Sequence, residues 1–560
     1  MPGGLLNLVS YGSGNLILNG NPKKTFFTTA YATYTNFGLQ KFRIDFNGLR
    51  TLRMNEDSRF TFIIPRYADL LMDTYIVLNL PTIWSPILPP QDCSGTWQPY
   101  EFKWIERLGL QMIKSIEFSV GGQIIQKFSG QYLNNQIERD FNGTKRFLIS
   151  RMTADTPEFN NPAFAFQRNG NYPNAYYTPN VVGPQPSIRG RQIYIPVNIW
   201  WTLSPKMAFP LVSLQYNQLQ IDVTMRPVRD LFVIRDIEGG TNNYVRPNFA
   251  DPLQQFYRFL QPPPNAHLTY TDTRTNWNAD VHLLSTYCFL SSEETRVFAA
   301  KDQRYLIKEV YEYDFQNTTG NGTVEIDSLG LVSSWMWYFQ RSDAYLRNEW
   351  SNYTNWPYKG VQPFPIEAAP MTFPSQDLGI TLNCSGDLIT YGPGLNPLTY
   401  SSGLGEISNN LYITGLFNPA NQEFILNNWA ILLDGKFREN TLSADIYSLV
   451  EKYIRTGGAA EDGLYCYNFC LNSSPFDLQP SGAMNMSKFN TIAFQYSTYY
   501  PPLDPSAQFL VICDPSSGLP VAVNKPNWII YDYTYNLHIM EERYNILIFT
   551  AGNCGLMYAR

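Results

Sequence analysis

The chain has 560 residues, of which 44% are hydrophobic and only 16% charged, and a formal net charge of −6. That length exceeds one ordinary domain and predicts two or three, each large enough to bury a core. The negative balance, with Lys23-Lys24 as the longest basic cluster, argues against direct contact with nucleic acid, whose phosphates demand clustered Lys and Arg.

Tyr (38), Phe (35), Pro (39) and Gly (37) are all abundant, a mixture that favours short strands joined by turns over amphipathic helices. The scarcity of charge also fits a surface covered by other protein, because interface cores are poor in charge and rich in aromatic residues. Met1–Ser10 lacks a basic start and a long apolar run, so no signal peptide is read there. No stretch approaches the ~18 apolar residues of a membrane span. The seven cysteines are odd in number, scattered and without a CxxC. Cys466 and Cys470, roughly 13 Å apart along a strand, are too distant for a disulfide. Reduced, mostly buried thiols in a cytosolic product are expected.

In chain order, Gly3–Val9 is a short apolar arm and Gly12–Pro22 is too rich in Gly and Asn to hold a long helix. A Thr-, Tyr- and Phe-rich run from Thr25 is predicted to open a strand. Arg59–Ile64 and Leu71–Leu80 read as strands bounded by Pro65 and Pro81. Ile116, Phe118 and Val120 alternate with Glu117 and Ser119, the period of a half-buried strand, and Gly121-Gly122 is a hairpin turn. Ser129 is placed to cap a helix running to about Arg139. Phe141–Gly190 shows no periodicity and reads as an irregular insertion. Ile193, Ile195 and Val197 share one strand face; Leu219, Ile221, Val223 and Met225 share another. After a second irregular stretch, Asp236–Pro264, Val281–Leu290 is a strand, Ser291 with Glu294 forms a capping box for a helix Ser292–Ala300, and Arg304–Phe315 is again a strand.

The second half repeats this text. Leu331–Gln340 puts Trp335, Trp337 and Phe339 on one face, and Arg341–Asn410 is irregular. Trp429–Leu433 ends in the turn Asp434-Gly435, and Ile529–Ile539 alternates with Tyr531, Tyr533, Tyr535 and Leu537 on one side.

Several ordered segments resemble one family. They are GGLLNLVSYG (Gly3–Gly12), Gly20-Asn21-Pro22, Trp104 with Arg107-Leu108-Gly109, and Gly121-Gly122-Gln123. Further along come YIPVNIWW (Tyr194–Trp201), FPLVSLQY (Phe209–Tyr216), YLI (Tyr305–Ile307), LQPSG (Leu478–Gly482) and Tyr544-Asn545 with Gly552, Gly555 and Tyr558. In this order they resemble the major capsid proteins of the nucleocytoplasmic large DNA viruses, along nearly the whole chain except the insertions. Asn217-Gln218, Asp434, Ile548, Asn553 and Cys554 depart from the family pattern.

The resemblance implies an all-β fold of two tandem eight-stranded antiparallel jelly rolls, with long loop insertions and a few short helices. Its divisions are an arm at 1–24, a first jelly roll at 25–302 and a second at 303–560. It implies a structural role in an icosahedral virion, assembled in the host cytoplasm. The partners would be copies of the chain in homotrimers and neighbouring capsomers, then minor capsid and penton proteins, with the arm reaching an inner-membrane-associated protein. A membrane-shaping scaffold shed on maturation and a carbohydrate-binding β protein are the competing readings.

Catalytic, cofactor and metal sites are expected to be absent. His267, His282 and His538 have no ligand partners at metal spacing. Tyr11–Asn15 (YGSGN) is neither a phosphate loop nor a nucleophile elbow, and Glu293-Glu294 suits a helix start. Trp335/Trp337 and Tyr531/Tyr533/Tyr535 could form a sugar platform, against which stands the reading of barrel core. Sequons at Asn142, Asn317, Asn321, Asn352, Asn383, Asn472 and Asn485 fit chance in an Asn-rich chain, although the resemblance leaves loop asparagines such as Asn352 as glycan candidates.

Overall fold

The computed structural model describes residues 2–88, 98–177, 185–235, 244–265, 268–361, 422–459, 461–501 and 533–558, with short strand ladders at 368–370, 380–382, 388–390, 412–414, 510–513 and 520–524. Eight strands of the first half are β1 (Phe37–Asp45), β2 (Ser58–Ile63), β3 (Leu70–Asn79), β4 (Ile113–Val120), β5 (Gln123–Phe128), β6 (Gln192–Pro196), β7 (Leu219–Met225) and β8 (His282–Leu290). They form two sheets, β1-β8-β3-β6 and β2-β7-β4-β5, all pairs antiparallel.

The second half supplies β9 (Gln303–Phe315), β10 (Asn321–Ile326), β11 (Leu331–Arg341), β12 (Leu426–Leu433), β13 (Lys436–Ser443), β14 (Leu464–Asn468), β15 (Ile492–Thr498) and β16 (Tyr535–Thr550). Its sheets run β9-β16-β11-β14 and β10-β15-β12-β13. Each half therefore has its first strand beside its eighth, and its second beside its seventh, which is the strand order of an eight-stranded jelly roll. The fourth and fifth strands are joined in both halves by two-residue turns with positive φ. These are Gly121 and Gly122 (59° and 85°) and Asp434 and Gly435 (48° and 74°), the backbone a twisted hairpin needs.

Alternation explains how each barrel fills. Phe60, Phe62, Phe118, Ile221 and Val223 point from one first-half sheet toward Ile76, Leu78, Ile193 and Ile195 of the other, all buried. In the second half Trp335, Trp337 and Phe339 of β11 meet Trp429, Phe494 and Ile539, with Trp337 stacked on Trp429 at 4.5 Å between ring centres. Strand β11 is apolar on both faces for a reason. Its other face, Met336 and Tyr338, joins the hydrophobic cluster of the first half, so one apolar core runs across the junction of the barrels.

Four helices matter below: α1 (Gly130–Asp140), α2 (Gly143–Met152), α3 (Ser292–Ala300) and α4 (Glu451–Arg455), the last continuing a π-helical turn Ile446–Val450. Ser129 caps α1, accepting from the Tyr132 amide at 3.1 Å, and Ser291 caps α3 from the Glu294 amide at 3.4 Å. Two expectations fail. The run from Thr25 makes no strand, because its backbone finds no sheet edge in the chain, and pairing begins only at Phe37. Within the supposedly irregular Phe141–Gly190, α2 forms behind the cap Asn142; only Ile149 of it is buried, so it leaves no periodic signal. The strand predicted over Ile529–Ile539 starts at Tyr535, with 525–532 outside the described residues.

Trp337→Ala should cost about 3–5 kcal/mol, because the indole fills the centre of the second barrel and the stacked Trp429 cannot close the void. Denaturant unfolding of the variant measures it; a loss under about 1 kcal/mol would mean the barrel is not packed around this pair.

Candidate assembly surface

Helix α1 is where the two halves meet, and all of its residues are buried. At its end Arg139 donates to both oxygens of Asp140 (3.0 and 2.6 Å), to Glu542 of β16 (2.7 Å) and to Ser334 of β11 (3.1 Å). Glu542 also accepts from Tyr132 and Ser334, and Ser473 donates to Asp140 at 2.6 Å. The amide of Gly458 donates to the Arg139 carbonyl at 2.9 Å and ties down the end of α1. A Cβ at 458 would lie 2.2 Å from the Glu138 carbonyl oxygen, so only glycine permits this approach.

A second cluster extends the seam. Arg107 donates to Glu138, to Asn134 (3.0 Å) and to Glu461 (2.7 Å); Lys359 also pairs with Glu461, and Arg146 reaches Glu138 at 2.6 Å. Burial alone would raise the carboxyl of Glu461, but the charges of Arg107 and Lys359 outweigh it and hold it at about 2. Glu542 is likewise opposed by burial and held at about 2 by Arg139 and Lys308, with hydrogen bonds from Arg139 and Tyr132. Asp140 and Glu138 go the other way, pushed up by burial despite their arginine partners. The two barrels are thereby clamped as one body.

Outside that body lies apolar surface without cover. From Pro2 to Lys41 every residue except Asn15 is exposed, including Ile17 (88%) and Phe27 (95%), and no acidic residue occurs before Asp45. The α4 region is inverted. Lys452 is turned inward (3% exposed), its ammonium donating to the Glu461 carbonyl, while Leu449, Val450, Tyr453 (91%) and Ile454 face out. Contiguous apolar exposure of this kind marks a contact surface.

The readings that would give the chain other chemistry do not come together. Trp335, Trp337, Tyr533 and Tyr535 are buried in or beside the second core and form no sugar platform; Tyr531 lies outside the described residues. Among the described residues no group of three His, Cys, Asp or Glu is arranged to hold a metal ion. His282 sits at the barrel edge against the Asp280 carbonyl, His538 pairs with Asp314, and His267 is outside the described residues. Cys288, Cys466, Cys470 and Cys554 are buried free thiols. Asn352 is no glycan acceptor in this fold: it is 3% exposed, and its amide nitrogen donates to the Trp356 carbonyl at 2.8 Å. Tyr11–Asn15 is a short turn in the arm, closed by the Gly12 amide on Asn15, and Glu293 and Glu294 lie in the first turn of α3.

Residues 25–256 match the family described as the major capsid protein N-terminus. Over the full length of both chains, this one is 23% identical to the major capsid protein of Chrysochromulina ericina virus and 24% identical to that of Phaeocystis pouchetii virus. It is 23% identical to that of Paramecium bursaria Chlorella virus 1, again over both entire chains. Among solved structures, the PBCV-1 virus capsid superposes with a TM-score of 0.57 at 18% identity, covering 96% of this chain and 100% of that one. The Faustovirus major capsid protein gives 0.58 at 14% identity, covering 94% and 93%. These two share the double jelly-roll fold.

Acid should weaken the seam first. Unfolded, Glu461 and Glu542 take up protons near pH 4.5; folded, they stay charged to about pH 2. Their contribution is complete above pH 4.5 and is lost as pH falls toward 2, less what Asp140 and Glu138, shifted upward, return. Glu542→Gln should therefore be less stable at pH 7 yet lose stability less steeply between pH 4.5 and 2. Denaturation midpoints across that range test it, and parallel curves for the two proteins would refute the assignment.

Proposed function

We propose, for a chain homologous along its whole length to the major capsid proteins of large DNA viruses, that three copies close into a ring of six barrels, the pseudo-hexagonal unit of an icosahedral shell. The protein is structural, a component of the capsid shell of the virion. The observation that carries the trimer is the repeated strand order: two like barrels clamped side by side give three chains six similar faces. The working division is an arm at 1–24, one jelly roll at 25–302 and another at 303–560.

In this reading the barrels are rigid bricks and chemistry is confined to contact. The inverted face of Leu449–Ile454 and the scarcity of charge suit burial against copies of the chain, because such surfaces lose little hydration when covered. A ring of three is head-to-tail and closed, so it saturates its own interface and leaves the outer edges for neighbouring capsomers and penton proteins. The arm, apolar and basic, reaches minor capsid proteins or an inner-membrane-associated partner during assembly in the host cytoplasm.

A native mass near three times 64.3 kDa is expected for the purified protein. A monomer, particularly one with measurable affinity for sugars, would overturn the proposal, and absence from purified mature particles would favour the shed scaffold. Deleting residues 2–10, all exposed, should leave trimers intact and lower the yield of closed shells. Wild-type shell yield from the truncated chain would remove the arm from assembly.

A further inference from the structure

Strand β1 is the outer strand of its sheet. It pairs with β8 alone, and among the described residues no backbone–backbone hydrogen bond reaches its other edge. From Phe37 to Lys41 it is exposed on both faces, with Phe37 at 52% and Leu39 at 54%. Phe289 of β8, opposite Gly38, adds a third exposed apolar side chain. An open apolar edge is a template for a further strand, and folded proteins ordinarily cover or charge such edges. In the sheet β10-β15-β12-β13 the outer strands are different: β13 carries Lys436, Arg438 and Glu439, and β10 exposes no large apolar side chain. The first half of β1, Phe37–Gln40, has no charge.

The same chain carries a strand-forming segment without an edge. Residues 25–36 (TFFTTAYATYTN) are rich in Thr, Phe and Tyr, hold no charge and are exposed throughout. They run directly into β1, and Thr35-Asn36 supplies no glycine for the tight turn that would fold them back onto it. Extended at ~3.3 Å per residue they span ~40 Å, more than the ~30 Å of β1, so one such segment covers the whole edge.

We propose that residues 25–36 of one copy of the chain add as a strand to the free edge of β1 on a second copy. Main-chain donors and acceptors idle on both partners are then satisfied together. Phe27, Thr29 and Tyr31 share one face of the added strand, and Phe26, Ala30 and Tyr34 share the other, so an aromatic ring is available to Phe37 and Leu39 whichever face aligns with them. The uncharged donor also suits an acceptor bearing Lys41 and Arg43, because Lys23 and Lys24 fall outside the paired segment. Each chain holds one donor and one acceptor, so a closed ring leaves neither unpaired, whereas a lone chain leaves both. This exchange presupposes that copies of the chain associate, as proposed above.

The test uses the purified full chain in its native oligomer, with Tyr31 replaced by the photo-reactive p-benzoylphenylalanine. Irradiation is expected to give an adduct of at least twice the chain mass on a denaturing gel, whose second peptide comes from residues 37–45. In the unmodified protein the amides of residues 26–35 should exchange hydrogen at least about tenfold more slowly than in a free peptide of that sequence. Thr29→Pro combined with Tyr31→Pro removes two donor amides from an exposed segment outside the barrels. It should abolish the slowing while the amides of β11 exchange as before. An oligomer in which residues 26–35 exchange at the peptide's rate, or an adduct confined to one chain or formed outside residues 37–45, would overturn the exchange and leave the ring standing. A monomeric native mass would overturn both.

Discussion

One guanidinium, that of Arg139, is shared by two carboxylates that belong to different barrels. Asp140 follows it on the same helix, while Glu542 comes from the longest strand of the second half, some four hundred residues away in sequence. With both partners almost fully buried, the arrangement is a modest source of net stability but an expensive one to break, because any relative movement strands a charge out of water. An apolar seam alone would hold the barrels together without fixing their orientation. Directed bonds from Arg139, Tyr132, Ser334 and Ser473 allow few alternatives. The relative orientation of the outer faces of the two barrels follows from that clamp.

The duplication shows how far the same solution has been reused. Both halves place a tight turn with positive φ between the fourth and fifth strands, and both follow the fifth strand with a helix, α1 in one and the Ile446–Arg455 segment in the other. The two helices have opposite fates. The first is swallowed by the seam; the second turns its apolar side chains outward and its lysine inward. A shared scaffold thus yields one buried helix and one exposed apolar face, and the two barrels are alike in fold but not in the surface they present.

Most of the strands could be read in advance because their faces differ. Leu219, Ile221, Val223 and Met225 against their polar neighbours, or Trp335, Trp337 and Phe339 along β11, carry the period of a sheet covered on one side at least. Turn and cap chemistry at Gly121-Gly122, Ser129 and Ser291 is equally local. The seam was not legible, for a physical reason. Gln131, Glu138, Arg139 and Asp140 look like the solvent face of a helix, and nothing nearby in sequence announces that Glu542, Ser334 and Glu461 will arrive to neutralise them. Helix α2 buries almost nothing and so leaves no periodic signal, and the Thr25 run has β-propensity but no edge to pair with in the chain. Asn352 illustrates the same gap: the sequon pattern is local, but its burial depends on how the chain packs.

The low charge content acquires a cause once these elements are placed together. Several charges serve contacts within the chain: Arg139 and Arg107 bridge the junction of the barrels, Lys452 donates to the Glu461 carbonyl, and Arg43 with Arg50 grips Asp280 at the edge of the first. The exposed surface includes the largely apolar arm and the face around Tyr453. Surfaces of that kind associate through area rather than through salt-sensitive attraction, so contacts between copies should be short-ranged and graded by fit. For a shell built from many identical pieces this is an advantage. A misplaced copy buries less area than a correct one and can leave, whereas strong long-range charge attraction would hold it in the wrong place.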